Sequence, residues 1–318
     1  MTKWVESRAS FQLEAGHPAA FVGFLNMKAL FDWIAASRPK TLGAAIAPVG
    51  VGCALAQRIG GRIDWKLAVC TLGSCMALQI ATNFFNDVLD AQKGADTQAR
   101  LGPRRLTASG AVSPGAMRFS AWLMLVIAAV LAAPLIDARG MPILLIGLPS
   151  LYFCFGYTGG PLPLAYHGLG ELFVILFFGL VAVTGTAFVQ TGEWYVDALH
   201  AGLQIGCLST VLIAINNLRD VEEDTRSAKR TLAVRFGKTF ARIEIVTLIV
   251  AAHALGVHWF TQGWESAFTL PLLTLPVGLF IAWRVMVEPP GRGHNRLLAL
   301  GGLQLLSFAG LLCWGIVT

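Results

Sequence analysis

Residues 83–105 read NFFNDVLDAQKGADTQARLGPRR and decide how the rest of the chain is understood. They follow an apolar run long enough to span a bilayer. They then present Asp87, Asp90 and Asp96, with Lys93, Arg100, Arg104 and Arg105 interleaved. A second stretch of the same kind, residues 216–235 (NNLRDVEEDTRSAKRTLAVR), follows another apolar run about 130 residues later. Two acidic-basic patches, each on the end of a membrane-length helix, call for one explanation.

Working outward, the 318 residues are 55% hydrophobic and 13% charged, with a mean hydropathy of +0.64. An average soluble domain is about 25% charged. The apolar residues come in blocks of about 18–25, each long enough to cross ~30 Å of hydrocarbon as a helix. The fold class is therefore all-α, a polytopic membrane protein whose medium is the lipid bilayer. Continuous rather than alternating blocks argue against a β-barrel. The net charge of +6 is read as loop charge that sets topology rather than as a nucleic-acid surface. Cys53, Cys70, Cys75, Cys154, Cys207 and Cys313 all fall in apolar blocks without a CxxC pair, so no disulfide or metal site is implied.

Residues 1–28 lack a clean apolar core before a cleavage site and read as an N-terminal cytoplasmic tail. Residues 29–318 read as a single transmembrane domain. Nine spanning helices are expected at 30–57, 66–88, 117–136, 141–157, 168–190, 198–218, 240–261, 266–286 and 297–317. Pro48, Pro134, Pro142, Pro149 and Pro276 are expected to kink or start helices. With the N-terminus inside, 20 of the 24 basic residues sort to the cytoplasmic side. Only Arg58, Arg62, Lys66 and Arg139 remain outside. This satisfies the positive-inside rule and sends both acidic-basic loops to one face.

The chemistry follows from the carboxylates. Asp87 and Asp90 are three apart, Asp220 and Asp224 four apart, so each pair is expected on one helix face. Mg²⁺ prefers oxygen and binds through one or two carboxylates plus substrate phosphates. Two such pairs on facing helices would hold two Mg²⁺ ions with a diphosphate between them. Asn86 and Asn217 stand close before the pairs. Lys93, Arg104, Arg105, Lys229, Arg230 and Arg235 are candidate diphosphate contacts, although topology needs basic loops in any case. The six histidines form no metal-spaced pair, and no Ser-His-Asp or Walker-type pattern occurs.

The two stretches resemble the paired aspartate-rich motifs of the UbiA superfamily of intramembrane prenyltransferases. The likeness is nearest to the branch acting on 1,4-dihydroxy-2-naphthoate in the menaquinone pathway. ASRPKTLGAAIAPVGVG (36–52) and YTGGPLPLAYHGLGELFVILFFG (157–179) resemble further signatures of that branch. The resemblance runs from about residue 30 to the C-terminus. It implies nine helices around a central cavity open sideways to lipid, with Mg²⁺ at the cytoplasmic end of an inner-membrane protein. It places Asn86, Asp87 and Asp90 on the first motif, and Asp220 and Asp224 on the second. Relatives that prenylate 4-hydroxybenzoate carry a further Asp where this chain has Gly94, and the later acid here is Asp96. Ala228 stands where the branch usually has glycine.

The implied reaction transfers a polyprenyl group from polyprenyl diphosphate to 1,4-dihydroxy-2-naphthoate with loss of carbon dioxide, giving demethylmenaquinol. Another aromatic acid, 4-hydroxybenzoate or homogentisate, is the alternative acceptor. Arg38 either snorkels to headgroups or stands at the active-site mouth. Glu171, at the start of an apolar helix, is either interfacial or functional. Tyr157 and Tyr166 either anchor the interface or line the acceptor pocket. Phe84, Phe85, Phe177 and Phe178 would present ring faces to a carbocation-like species, or face lipid. The rival of another class is a divalent-cation or phosphate transporter. Transporter sites sit near the bilayer midplane, whereas these acids cluster at one face.

Overall fold

The computed structural model describes residues 27–94 and 101–318, and of Lys28, Ala29 and Lys40 the backbone alone. Eleven helices matter here. They are α1 (Met27–Ser37), α2 (Pro39–Gly60), α3 (Trp65–Gln92), α4 (Pro114–Arg139), α5 (Met141–Gly156) and α6 (Gly170–Thr191). After them come α7 (Val196–Arg219), α8 (Val221–Arg226), α9 (Leu232–Thr261), α10 (Glu265–Val287) and α11 (His294–Val317). No strand occurs among the described residues.

Eight of these helices are long and apolar enough to cross a membrane, and α5 is a shorter apolar helix of 16 residues. At 1.5 Å per residue α5 covers roughly 24 Å, short of the ~30 Å core. Taken as a pass, it agrees with the arrangement of the aspartate segments. The two aspartate segments meet at one end of the bundle, which requires an even number of passes between them. With α5 there are four: α4, α5, α6 and α7. The expected nine fits this arrangement, with α5 ending one residue before the expected 157.

The first expected helix, 30–57, is corrected. The chain breaks at Arg38, whose φ of 55° and ψ of 66° are left-handed. A residue before proline is pushed out of the α region, and Pro39, at the start of α2, is preorganised to begin a new helix. The short α1 buries Ala36 and sets Trp33 edge-on to Phe84 of α3, centroids 5.5 Å apart. Its opposite face exposes Met27, Leu30, Phe31 and Ile34 at helical spacing. The expected boundary at 28/29 therefore falls inside α1, and the rest of the tail lies outside the described residues. Pro142 sits at a helix start as expected; Pro276 lies within α10, where the α-helix resumes after a 3-10 turn at Pro271–Thr274, and Pro48, Pro134 and Pro149 lie inside helices.

The bundle has a centre and a rim. About 72% of the apolar window of α7 is buried, against 22% for α4, whose Phe119, Trp122, Val126 and Val130 point outward. Close approach at the centre rests on glycine. The middle of α6, Ile175–Val181, is a π-helical turn. A Cβ at Gly179 there would lie 2.6 Å from Gly206 Cα on α7, so only glycine fits. Phe173, Val174 and Phe178 of α6 line the space between α2, α3, α6, α7 and α11. Arg139, one of the few basic residues at the opposite end, is occupied: Nε donates to Val189 O and Nη2 to Gln190 O, both at 2.8 Å. It thereby closes the end of α6 with a cation, as the helix dipole favours.

Candidate active site

The space inside the bundle is a cavity of about 600 Å³. Away from the aspartate segments it is walled by Ala44, Phe173, Val174, Phe178 and Leu212, with Gln79, Thr82 and Ser209 as polar members of the lining. The end at those segments is polar, walled by Asn86, Asp90 and Arg105 on one side and Asn217, Asp220, Asp224 and Lys229 on the other.

Asp90 faces the cavity from the last turns of α3. Its Oδ2 accepts from Arg105 Nη2 at 3.0 Å, and its Oδ1 accepts from the Tyr166 hydroxyl at 2.9 Å. Both members of the ion pair are buried. Removing either would strand a charge at a cost of about 3–5 kcal/mol. Asp87 is different, and corrects the expectation that the pair shares one face. It is buried, lies off the cavity wall, and accepts the backbone N–H groups of Leu106 at 3.1 Å and Thr107 at 2.9 Å. Three residues turn a helix by about 300°, so the carboxylates diverge by about 60°. The segment after residue 101 folds back over α3, its buried amides need acceptors, and Asp87 supplies them.

The second segment is also not one helix. Asp220, with φ −96° and ψ 8°, ends α7, and α8 starts at the next residue. Asp220 and Asp224 nevertheless both line the cavity. The Arg219 guanidinium grips Asp220 through two hydrogen bonds of 2.7 and 2.6 Å. Asp224 stands 3.7 Å from Lys229 Nζ. That pairing depends on a tight turn in which Lys229 N donates to Asp224 O and Ala228 N to Thr225 O. This is a Schellman closure with Ala228 at the left-handed position, φ 56°.

The other expected residues divide. Asn86 lines the cavity and accepts the Thr158 hydroxyl. Asn217 lines it and donates to Glu171 Oε1 at 2.7 Å. Arg38, Tyr157 and Glu171 line it as well. Burial, then the nearby Glu171, Asp90 and Asp224, push the Tyr157 phenol up and keep it protonated. Lys93 stands beside the site, its Nζ 2.6 Å from Thr158 O and 3.9 Å from the centre of the Tyr166 ring. Burial lowers the Lys93 ammonium pKa, Asp90 opposes this, and Lys229 adds to it. Of the adjacent arginines, Arg105 lines the cavity while Arg104 is exposed. Arg230 is outside, bordering a separate shallow depression with Arg235 and Phe236. Asp96 lies outside the described residues. Phe178 lines the cavity and Phe177 stacks on the lining Phe173 at 4.4 Å. Phe84 and Phe85 instead pack in the core around α3 and α4.

Sequence reasoning gave no site role to Arg219, Asn216, Thr158 or Asn295, all on the cavity wall. Three of them lie within quoted motifs, but Asn295 carries no local signal.

The polar end suits a hard cation. Its side-chain donors are carboxylate and amide oxygens, which Mg²⁺ prefers. No group of three or more His, Cys, Asp or Glu residues converges as a metal cage among the described residues. A cation there would take one or two carboxylates, from Asp90, Asp220 and Asp224, and complete its shell with ligand oxygens. A carboxylate has about four lone-pair sites, so its hydrogen bonds do not exhaust it.

Comparison with known proteins adds to this geometry. The sequence model of the UbiA prenyltransferase family matches residues 45–310. The 1,4-dihydroxy-2-naphthoate octaprenyltransferase of Mycobacterium tuberculosis is 33% identical over 284 residues, 89% of this chain and 96% of the relative. The enzyme of the same description from Escherichia coli is 35% identical over 295 residues, 85% of this chain and 94% of the relative. Among solved structures, a UbiA homolog from Archaeoglobus fulgidus bound to GPP and Mg²⁺ superposes with a TM-score of 0.67 at 16% identity. That likeness covers 90% of this chain and 99% of the other, and at such identity it concerns the fold alone.

Proposed function

The chain belongs to the UbiA prenyltransferase family and is an aromatic prenyltransferase, and from that premise we propose that it joins a polyprenyl group to 1,4-dihydroxy-2-naphthoate with loss of carbon dioxide. The observation that carries the reading is the two-ended cavity. Its polar end has carboxylates and cations from two distant segments, and its apolar side chains, Ala44, Phe173, Val174, Phe178 and Leu212, suit an isoprenoid chain.

In this reading Arg105 and Lys229 face the diphosphate, with Lys93 beside them. Asn86 and Asn217 supply amide groups for its oxygens. Asp90, Asp220 and Asp224 hold Mg²⁺, which supplies positive charge against the leaving diphosphate. The apolar walls, including Phe173 and Phe178, exclude the water that would otherwise trap an allylic cation. The electron-rich ring attacks that carbon, the bond to the carboxyl carbon breaks, and carbon dioxide leaves from the same position. Arg38 on the cavity wall is the candidate for holding the acceptor carboxylate before it leaves. Glu171 and Tyr157 face the acceptor's ring hydroxyls. The polar end faces the cytoplasm of a bacterial inner membrane, consistent with the basic loops on that side.

The test is direct. Purified protein receives a polyprenyl diphosphate, Mg²⁺ and 1,4-dihydroxy-2-naphthoate labelled at the carboxyl carbon. Labelled carbon dioxide and an unlabelled prenylated quinol are expected. Label kept in the lipid product, or preferred turnover of 4-hydroxybenzoate or homogentisate, would move the chain to another branch.

A further inference from the structure

We propose that Arg219 is a positioning residue that holds the two aspartate segments in register, through Asp220 on one side and through Asn295 and the Leu101 carbonyl on the other. The inference rests on the prenyl-transfer reading above.

Arg219 borders the cavity, yet its side chain is 0% exposed, its polar atoms turned to protein partners. Its nitrogens are all engaged. Nε donates to Asp220 Oδ1 at 2.7 Å, and Nη2 to Asp220 Oδ2 and Asn216 Oδ1, both at 2.6 Å. Nη1 donates to Asn295 Oδ1 at 2.7 Å. Asn295, in the first turn of α11, then donates Nδ2 to Leu101 O at 2.9 Å, across 194 residues of sequence.

Leu101 begins the segment that carries Arg105 to Asp90 and the amides of Leu106 and Thr107 to Asp87. One buried guanidinium thus connects the carboxylate of the second segment to the backbone of the first. The fork is possible because α7 ends at Asp220. In the bridge-region conformation there, neighbouring side chains 219 and 220 meet, which a continuing helix prevents. The fork takes about two of the lone-pair sites of Asp220 and leaves the others for the cavity. A lysine at 219 keeps the charge but cannot make planar bonds to three partners.

The experiment has two arms on full-length protein in nanodiscs. The first measures hydrogen exchange of the backbone in residues 101–113 with no ligand, in wild type, Arg219→Lys and Asn295→Asp. Asn295→Asp keeps the oxygen facing Arg219 and loses the donor to Leu101, so it tests the bridge with the Asp220 fork retained. Faster exchange in this segment is expected in both variants. The second arm measures KM for polyprenyl diphosphate and, separately, for the aromatic acid. Both variants should raise the diphosphate KM by about tenfold, the scale of one charge-assisted hydrogen bond, and leave the acceptor KM nearly unchanged. Unchanged exchange in residues 101–113, or both KM values rising together, overturns the proposal. Absence of turnover by wild type with these substrates would instead overturn the functional reading, while the exchange arm still decides the bridge.

Discussion

The hydroxyl of Tyr166 donates to Asp90 Oδ1 at 2.9 Å while its ring lies 3.9 Å from Lys93 Nζ and 5.8 Å from Lys229 Nζ. One tyrosine therefore orients a candidate metal ligand and gathers two cations from opposite segments. Its ring quadrupole attracts both ammonium groups. Tyr166→Phe keeps the ring and removes the hydrogen bond. Bonds to charged groups are worth about 1.5–3 kcal/mol, so kcat should fall roughly 10- to 100-fold with protein yield unchanged. A variant with wild-type kcat would remove Tyr166 from the account.

Asp87 and Asp90 should separate by assay. Asp90→Asn loses ligand charge at the cavity, and activity should drop by about 10²-fold or more, the scale of one well-placed electrostatic stabiliser. Asp87→Asn keeps one acceptor oxygen and sets its NH2 against the other of the Leu106 and Thr107 N–H groups, and the cost of an unsatisfied buried group is about 1–3 kcal/mol. Its first effect should be a lower melting temperature. Equal melting temperatures for wild type and Asp87→Asn would contradict the loop-anchor role.

Glu171 is buried, Asn217 occupies its Oε1, and its Oε2 has no hydrogen-bond partner among the described residues. A ring hydroxyl of the acceptor is the donor this oxygen lacks in the functional reading. Glu171→Gln should raise the acceptor KM by about tenfold, because a site built for a polar group discriminates against its loss. The diphosphate KM should stay constant. A rise confined to the diphosphate KM would place Glu171 with the other substrate.

Ala228 holds a left-handed conformation that costs an L-residue about 1–2 kcal/mol. Ala228→Gly relieves this but adds about 0.4–1 kcal/mol of unfolded-chain freedom. A small rise in melting temperature is expected, with Ala228→Val lowering it. Destabilisation by glycine would show that the turn before Lys229 is not strained.

Topology is open to fusion reporters. Reporters placed after residues 110 and 235 should report cytoplasm, and one near 193 the opposite side. Opposite sides for the first two would dismantle the shared cavity.

Much of this protein was legible in the order of its residues. Continuous apolar blocks can satisfy their backbone polar groups in lipid only as helices, which sets the all-α class and the approximate spans. Asp90, Asp220, Asp224 and Lys229 could be picked out because their charge contrasts with apolar surroundings, and all four line the cavity, although the helical spacing used to pair the acids does not hold in either segment. What sequence could not decide was where side chains turn once segments far apart in the chain meet. Asp87 and Asp90 share a motif, yet one serves the amides of a returning loop and the other faces the cavity. Arg104 and Arg105 are chemically identical neighbours, and only the path of that loop buries the second. The break at Arg38 was foreshadowed by Pro39, but its place on the cavity wall depends on how α1 packs against α3. Asn295 has no motif at all. Its role exists because α11 brings it between Arg219 and Leu101, and hydrogen bonds between residues 76 and 194 positions apart are set by packing rather than by local propensity.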